Sequence, residues 1–215
     1  MIWNGADATA VDVRPRGADD RALLAEVAAA LLGLDPRDVV VTHTCAHCGG
    51  SDHGQPGATA RAGAIRSRGA GGALPAARAH LSLARAGDLV AVAGRLDGPV
   101  GIDIEALDRV ASAGFDDVAF TARERTAIAD ADEPDLLRGR LWTAKEALLK
   151  AAGTGLRIDP REIGLEWDAA GETVLAAPVT SLPHIRADDV RLRFWQPRPG
   201  YVASLAEINA GTGTR

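Results

Sequence analysis

The stretch from Pro134 to Gly153 constrains this chain more tightly than any other. Proline at a first-turn position loses nothing by lacking an N–H, and glycine after the last apolar residue is a stop. The segment between them therefore reads as one helix running to Ala152. At ~100° per residue, Leu141, Ala144, Leu148 and Ala151 share an apolar face that must be laid on a sheet or a second helix. Trp142, Glu146 and Lys150, at i, i+4 and i+8, fall on the opposite side. Lys145 is placed on the other flank of Glu146, so two ammonium groups are expected to bracket this carboxylate. A plain surface helix with a Glu–Lys pair, stabilising by only ~0.2–0.5 kcal/mol, is the alternative. Trp142 fits that alternative badly, because a large aromatic opposite the apolar stripe should cover something. The lysines fit it badly too. Of 24 basic residues only Lys145 and Lys150 are not arginine, and a compact ammonium differs from a planar guanidinium in a phosphate site.

A second motif lies upstream, in Gly101-Ile102-Asp103-Ile104-Glu105. On a strand, Asp103 and Glu105 project from one face while Ile102 and Ile104 enter the core. Two adjacent carboxylates repel unless a cation or a shared proton relieves them. Hard oxygen ligands of this kind suit Mg²⁺, which takes one or two carboxylates together with phosphate and water. A strand with a solvated acidic face is the alternative. Bringing Glu146 beside Asp103 and Glu105 would complete a metal site flanked by lysines able to hold phosphate oxygens. That inventory serves transfer of a phosphoryl-type group.

The rest of the chain reads as α+β. Asp19 and Asp20 cap a helix from Arg21 to Leu32 that stops at Gly33. Val39 to Thr42 is a strand, and 49–77 reads as one long loop, basic through Arg61, Arg66, Arg68 and Arg78. Leu89–Ala93 and Val100–Ile104 read as strands of a hairpin turned at Asp97-Gly98. Thr121-Ala122-Arg123-Glu124 is a capping box. Strands are expected at Ile163–Trp167, Arg191–Trp195 and Tyr201–Leu205, with Trp3, Trp167 and Trp195 in cores or at the interface between halves. No sequence repeat is evident. With 47% hydrophobic and 25% charged residues the composition is that of an ordinary globular protein. The net charge of −5 argues against a nucleic-acid partner. No apolar run approaches the ~20 residues of a membrane span. No signal peptide is evident and two cysteines make no disulfide framework, so a cytoplasmic setting is expected.

The two motifs, about 40 residues apart, closely resemble the signature pair of the 4′-phosphopantetheinyl transferases, in the larger, monomeric, surfactin-synthetase-activating type. Ala119-Phe120-Thr121-Ala122-Arg123-Glu124 resembles the segment that family carries between them. The resemblance runs from about Asp20 to Leu156. It implies two similar α/β lobes, 1–98 and 99–209, with coenzyme A and Mg²⁺ (or Mn²⁺) bound between the lobes; the tail 210–215, by its own residues, reads as disordered. It implies an enzyme that transfers 4′-phosphopantetheine from coenzyme A to a serine of an apo acyl, polyketide or peptidyl carrier protein, releasing adenosine 3′,5′-bisphosphate. By position, Asp103, Glu105 and Glu146 would hold the metal. Glu146, directly or through water, would be the base, and Lys145 and Lys150 would contact phosphates. More loosely, Arg21 matches an arginine on the nucleotide phosphate. His53-Gly54-Gln55-Pro56 stands where a Gly-Lys-Pro usually occurs, with His53 touching the nucleotide pocket. Ser82-Leu83-Ala84-Arg85-Ala86-Gly87 replaces an Asn-x-Ser-His-Ser-Gly-like segment, with Arg85 in place of the histidine. A non-catalytic coenzyme A- or carrier-binding relative, or another Mg²⁺-dependent phosphohydrolase, are the competing readings.

His43, Cys45, His47, Cys48 and His53 crowd one segment. Zinc is conceivable there, but a structural site normally takes four placed ligands, so the expectation is coincidental loop residues beside the pocket.

Overall fold

The computed structural model describes residues 2–4, 9–17, 19–45, 47–64, 78–111, 114–167, 173–175, 181–182 and 184–209. Its elements in order are β1 (Ile2–Asn4), β2 (Thr9–Pro15), α1 (Asp20–Leu32), β3 (Val39–Thr44), β4 (Gln55–Ala60), β5 (Ala79–Ala86), β6 (Leu89–Arg95) and β7 (Val100–Ala106). After these come α2 (Leu107–Val110), α3 (Phe115–Ala119), α4 (Ala122–Ala129), α5 (Pro134–Ala151), β8 (Leu165–Trp167), β9 (Thr173–Leu175), β10 (Val190–Trp195) and β11 (Tyr201–Ile208). The fold is mixed α/β with two lobes. One antiparallel sheet runs β1-β2-β6-β5-β4-β3 and a second runs β10-β11-β7.

The order of layers follows from which face of each strand is apolar. Val27, Ala28 and Leu24 of α1 pack with Ala10, Leu81 and Val92 on one side of the larger sheet. Leu141, Leu148 and Leu149 of α5 pack with Leu192, Ala206 and Ile208 on the outer side of the smaller one. The inner faces then meet: Val11, Ala84, Ala91 and Ala93 lie against Ile102, Ile104, Ala203 and Leu205. The small side chains of β5 and β6 let the two sheets approach closely enough for the Ile102 amide to donate to Ser82 Oγ at 3.0 Å. Polar clamps close the rim. Thr9 Oγ1 donates to Glu207 at 2.6 Å, and Arg198 and Tyr201 both reach Asp88.

Several expectations hold locally. Asp19 caps α1 and Gly33 ends it at φ 63°; the Thr121–Glu124 capping box opens α4; and α5 starts at Pro134. Others are corrected. Asp97-Gly98 is not a hairpin turn, because β6 and β7 belong to different sheets and the dipeptide carries the chain from one lobe to the other. The hairpin is instead β5–β6, turned at Gly87-Asp88 with Gly87 at φ 53°. The segment read as one long loop contains β4, paired to β3 along its length. Residues 65–77, with Arg66 and Arg68, the side chains of Trp3 and Trp167, and the tail 210–215 lie outside what is described. Trp195 packs against the cluster between the sheets, as expected.

The lobes also repeat each other. In each, a first strand leads to a long helix and later pairs antiparallel with the last strand of a terminal hairpin: β2 with β6, and β7 with β11. Asp12 faces Val92 in one pairing as Asp103 faces Ser204 in the other. Ala10-Val11-Asp12-Val13-Arg14 therefore corresponds to Gly101-Ile102-Asp103-Ile104-Glu105. Counted back from the left-handed glycines Gly33 and Gly153, Glu26 of α1 corresponds to Glu146 of α5.

Candidate active site

The site begins with a glycine. A Cβ at Gly101 would lie 1.9 Å from the Ala147 carbonyl oxygen and 2.6 Å from the Ala151 nitrogen. Only the bare backbone lets β7 come so close to α5, and this brings Asp103 and Glu105 against the side of α5 that carries Glu146 and Lys150. Lys150 Nζ donates to Asp103 Oδ1 at 2.6 Å and to the Ile102 carbonyl at 3.3 Å. Asp103 is 5% exposed, and among the described residues its Oδ2 has no hydrogen-bond partner.

The three carboxylates are held at a cost. Burial, then the charge of Asp103, pushes Glu105 up to about 7, against a hydrogen bond from Trp142 and the charge of Lys150. Burial and the Asp103 charge raise Glu146 as well, with Lys150 opposing. Burial raises Asp103 despite Lys150 and the Ile104 amide. Lys150 is ion-paired to Asp103 and acts on Glu105 and Glu146 only through its charge, so the three acids carry an excess of two negative charges over it when all are ionised. An orphaned buried carboxylate oxygen and this excess fit a hard divalent cation. Trp142 covers the side of the cluster. Its ring stands edge-on to Phe115 at 4.9 Å, and Phe115 in turn packs on Phe120.

Lys145 is not where the sequence placed it. Its side chain is 0% exposed and turned into the core of the second lobe, where Nζ donates to Glu124 Oε2 at 2.6 Å and to the Ala119 carbonyl at 2.9 Å, 5.3 Å from the Phe120 ring centroid. Glu124 also accepts the Thr121 and Leu165 amides. The ~100° step per residue that separates Lys145 from Glu146 turns the lysine under α4 rather than toward β7. Its ammonium is therefore taken up by Glu124 and the Ala119 carbonyl rather than by the carboxylate cluster, which corrects the expectation that it flanks Glu146 in a phosphate site.

Lys150 links the acids to a cleft. A cavity of about 330 Å³ is lined by Lys150, Cys45, His53, Ser82 and Arg157. A neighbouring one of about 360 Å³ is lined by Arg21, Arg85, Asp20 and His43. Both include Gly54, Pro56 and Leu83, so one wall runs from the start of α1 to the end of α5. Arg21 donates to the Val41 carbonyl at 2.9 Å, and Arg85 Nε to Asp20 at 2.7 Å. His53 borders the cleft with both ring nitrogens engaged, Nδ1 with Asp52 at 2.7 Å and Nε2 with Cys48 at 3.4 Å. A larger cavity of about 660 Å³, walled by Val11, Val13, Phe194 and Trp195, contains none of these acids.

Two contributors escape sequence reasoning. Gln55 Nε2 donates across the lobes to the Lys150 and Ala151 carbonyls, satisfying the open end of α5. Glu124 is visible as a capping residue, but nothing in the sequence signals its pairing with Lys145.

Residues 99–206 match the family described as the 4′-phosphopantetheinyl transferase superfamily. The chain is 33% identical over 93 residues to a holo-[acyl-carrier-protein] synthase of Verminephrobacter eiseniae, an alignment spanning 39% of this chain and 71% of that protein. Among solved structures it is similar to the holo-[acyl-carrier-protein] synthase of Neisseria meningitidis, at 26% identity and a TM-score of 0.47, over 52% of this chain and 98% of that one. It is also similar to the Helicobacter pylori synthase in complex with coenzyme A, at 14% identity and a TM-score of 0.43, over 51% and 99% of the two chains.

Proposed function

This chain belongs to the 4′-phosphopantetheinyl transferase superfamily and is a phosphopantetheinyl transferase, and from that premise we propose that it transfers 4′-phosphopantetheine from coenzyme A to a serine hydroxyl of an apo carrier protein, with adenosine 3′,5′-bisphosphate leaving. The observation that carries this reading is the cluster of Asp103, Glu105 and Glu146 around Lys150, at the end of a cleft whose far end holds Arg21 and Arg85. The serine oxygen attacks the phosphorus that carries pantetheine, and the bond to the adenosine side breaks. Glu146, whose affinity for a proton burial has raised, takes the hydroxyl proton. Lys150 turns from Asp103 to a pyrophosphate oxygen, and Arg21 and Arg85 meet the phosphate of the nucleotide end. Asp103, Glu105 and Glu146 would hold Mg²⁺, which supplies neutralisation of the charge on the pyrophosphate.

The two-lobed, monomeric surfactin-synthetase-activating type is supported by the repeat within one chain, with 1–98 and 99–209 as its lobes. Acyl, polyketide and peptidyl carriers are the partner class, in a cytoplasmic setting. Among the described residues no helix is long and apolar enough to cross a membrane.

The test is to incubate the protein with coenzyme A, Mg²⁺ and apo carriers and to weigh the carrier. A gain of one phosphopantetheine is expected, and its loss in Glu146→Gln with the fold intact. Coenzyme A binding without any mass gain would mark a non-catalytic relative. Cleavage of coenzyme A that leaves the carrier unchanged would mark a hydrolase.

A further inference from the structure

We propose that Cys45, Cys48 and His53 bind one Zn²⁺ ion, at a site separate from the carboxylate cluster. The ligand atoms of these residues lie within 4.8 Å of one another. His43 and His47 do not join them.

The backbone builds this convergence. Leaving β3, the chain folds back on itself: the Cys45 amide donates to the Gly50 carbonyl and the Gly49 amide to the Cys45 carbonyl, each at 2.9 Å. Gly49 permits the turn at φ 71°. Gly54, at φ 95°, lies so close that a Cβ would be 2.4 Å from the Thr44 carbonyl oxygen, and this approach returns His53 to the two cysteines. Both sulfurs accept backbone amides, Cys45 from His47 and Cys48, and Cys48 from Gly50 at 3.4 Å. The Arg157 guanidinium stands 3.8 Å from the Cys45 sulfur. These donors favour thiolates, the form in which cysteine binds metals.

The imidazole is set for the same purpose. Asp52 holds Nδ1 at 2.7 Å, so Nε2 faces the sulfurs, 3.4 Å from Cys48 Sγ. A carboxylate behind a ligating histidine fixes its tautomer and raises its basicity. Zinc–ligand distances of ~2.0–2.3 Å give a tetrahedron with edges of about 3.4–3.8 Å, so the Cys48–His53 separation already has the length of one edge. Two thiolates neutralise the ion, and water completes the fourth position. Cys48 and His53 are exposed, which provides an entry path, whereas Cys45 is buried and anchors the site. The residues that follow His53 lead directly to Gln55 and its clamp on α5. A metal here fixes the wall of the cleft opposite Lys150.

The experiment measures metal in full-length protein purified without a histidine tag from zinc-supplemented culture. About one zinc per chain is expected, retained in Glu146→Gln and lost in Cys48→Ser and in His53→Ala. Asp52→Asn should weaken zinc binding ~10–100-fold. Co²⁺ added to stripped protein should give the thiolate charge-transfer and d–d bands of a tetrahedral site, absent in Cys48→Ser. Protein that purifies without zinc and takes up Co²⁺ without thiolate bands would overturn the proposal, as would a Cys48→Ser spectrum identical to that of the parent. None of these readouts depends on transferase activity.

Discussion

Removing the Lys145 ammonium would leave the Glu124 carboxylate, 2% exposed, without its counter-charge in an apolar surround. Breaking a buried pair from one side costs about 3–5 kcal/mol. Lys145→Met should therefore lower unfolding stability by about that amount in denaturant titrations, while leaving KM for coenzyme A unchanged in the folded fraction. Adding Glu124→Gln should recover part of the loss. A raised KM with unchanged stability would return Lys145 to a ligand-contact role. The helical period is local, so it sorted Trp142, Glu146 and Lys150 onto one side correctly. The partner of Lys145 comes from another helix, and only tertiary packing selects it. Glu105 supplies a second prediction at this scale. Its carboxyl is raised from 4.5 to about 7 in the fold, so between these values the native state binds more protons than the unfolded chain. Metal-free stability should accordingly fall as pH rises from about 5 to 8, with Asp103 and Glu146 acting in the same direction. Glu105 keeps some solvent contact, so its share is on the order of 1–2 kcal/mol rather than the full linkage value. Mg²⁺ should flatten the profile, and Glu105→Gln should reduce its slope in urea titrations at the two pH values. An unchanged slope in the variant would mean that Glu105 is not the group titrating.

Elements were legible where their ends carry chemistry. Asp19 and Gly33 on α1, Thr121 and Glu124 on α4, and Pro134 on α5 are signals made by single residues. β4 and β5 carry no such mark. Their glycine, alanine and arginine content obscures the alternation that announces a strand, although Ala84 and Ala86 of β5 pack between the sheets and Ala58 of β4 packs in the core with α1. Asp97-Gly98 misled for the same reason, because dipeptide chemistry reports a turn and not which sheet the next strand joins. The contact between β7 and α5 depends on Gly101 in particular. Gly101→Ala would force a methyl against the Ala147 carbonyl, costing about 3 kcal/mol or more by overpacking. The strand must retreat from the helix, carrying Asp103 and Glu105 away from Glu146 and Lys150. Transfer should fall by more than the folded fraction does, as measured by kcat at a temperature where circular dichroism shows native signal. Normal turnover in a stable Gly101→Ala protein would show that the close approach is not needed.

At the scale of the whole molecule, the two lobes hold similar strand–helix pairs with different cations. In the second lobe Lys150 reaches into the acids from α5. In the first, Arg14 takes the place corresponding to Glu105 and bridges Asp12 to Glu26, the latter at 2.8 Å. The guanidinium supplies in covalent form the positive charge that the carboxylate cluster lacks. The repeat was hidden in the sequence because AVDVR and GIDIE share only the central aspartate, and because the stretch between strand and helix is far longer in the second lobe, where it also holds α2, α3 and α4. The correspondence predicts what Arg14→Glu should do. Asp12, 1% exposed, and Glu26 would face a third carboxylate with the bridging guanidinium gone. In chelator, stability should drop by about 1–2 kcal/mol, less than for a fully buried pair because Arg14 and Glu26 are partly exposed while Asp12 is buried. Mn²⁺ should restore part of it by binding the three acids, whereas Arg14→Gln, with one acid fewer, should respond less. The measurement is thermal unfolding of both variants with and without the ion, each in a Glu146→Gln background that weakens the response of the second lobe. Equal responses from Arg14→Glu and Arg14→Gln would mean that Asp12, residue 14 and Glu26 do not reproduce the arrangement around Asp103, however closely the strands and helices correspond.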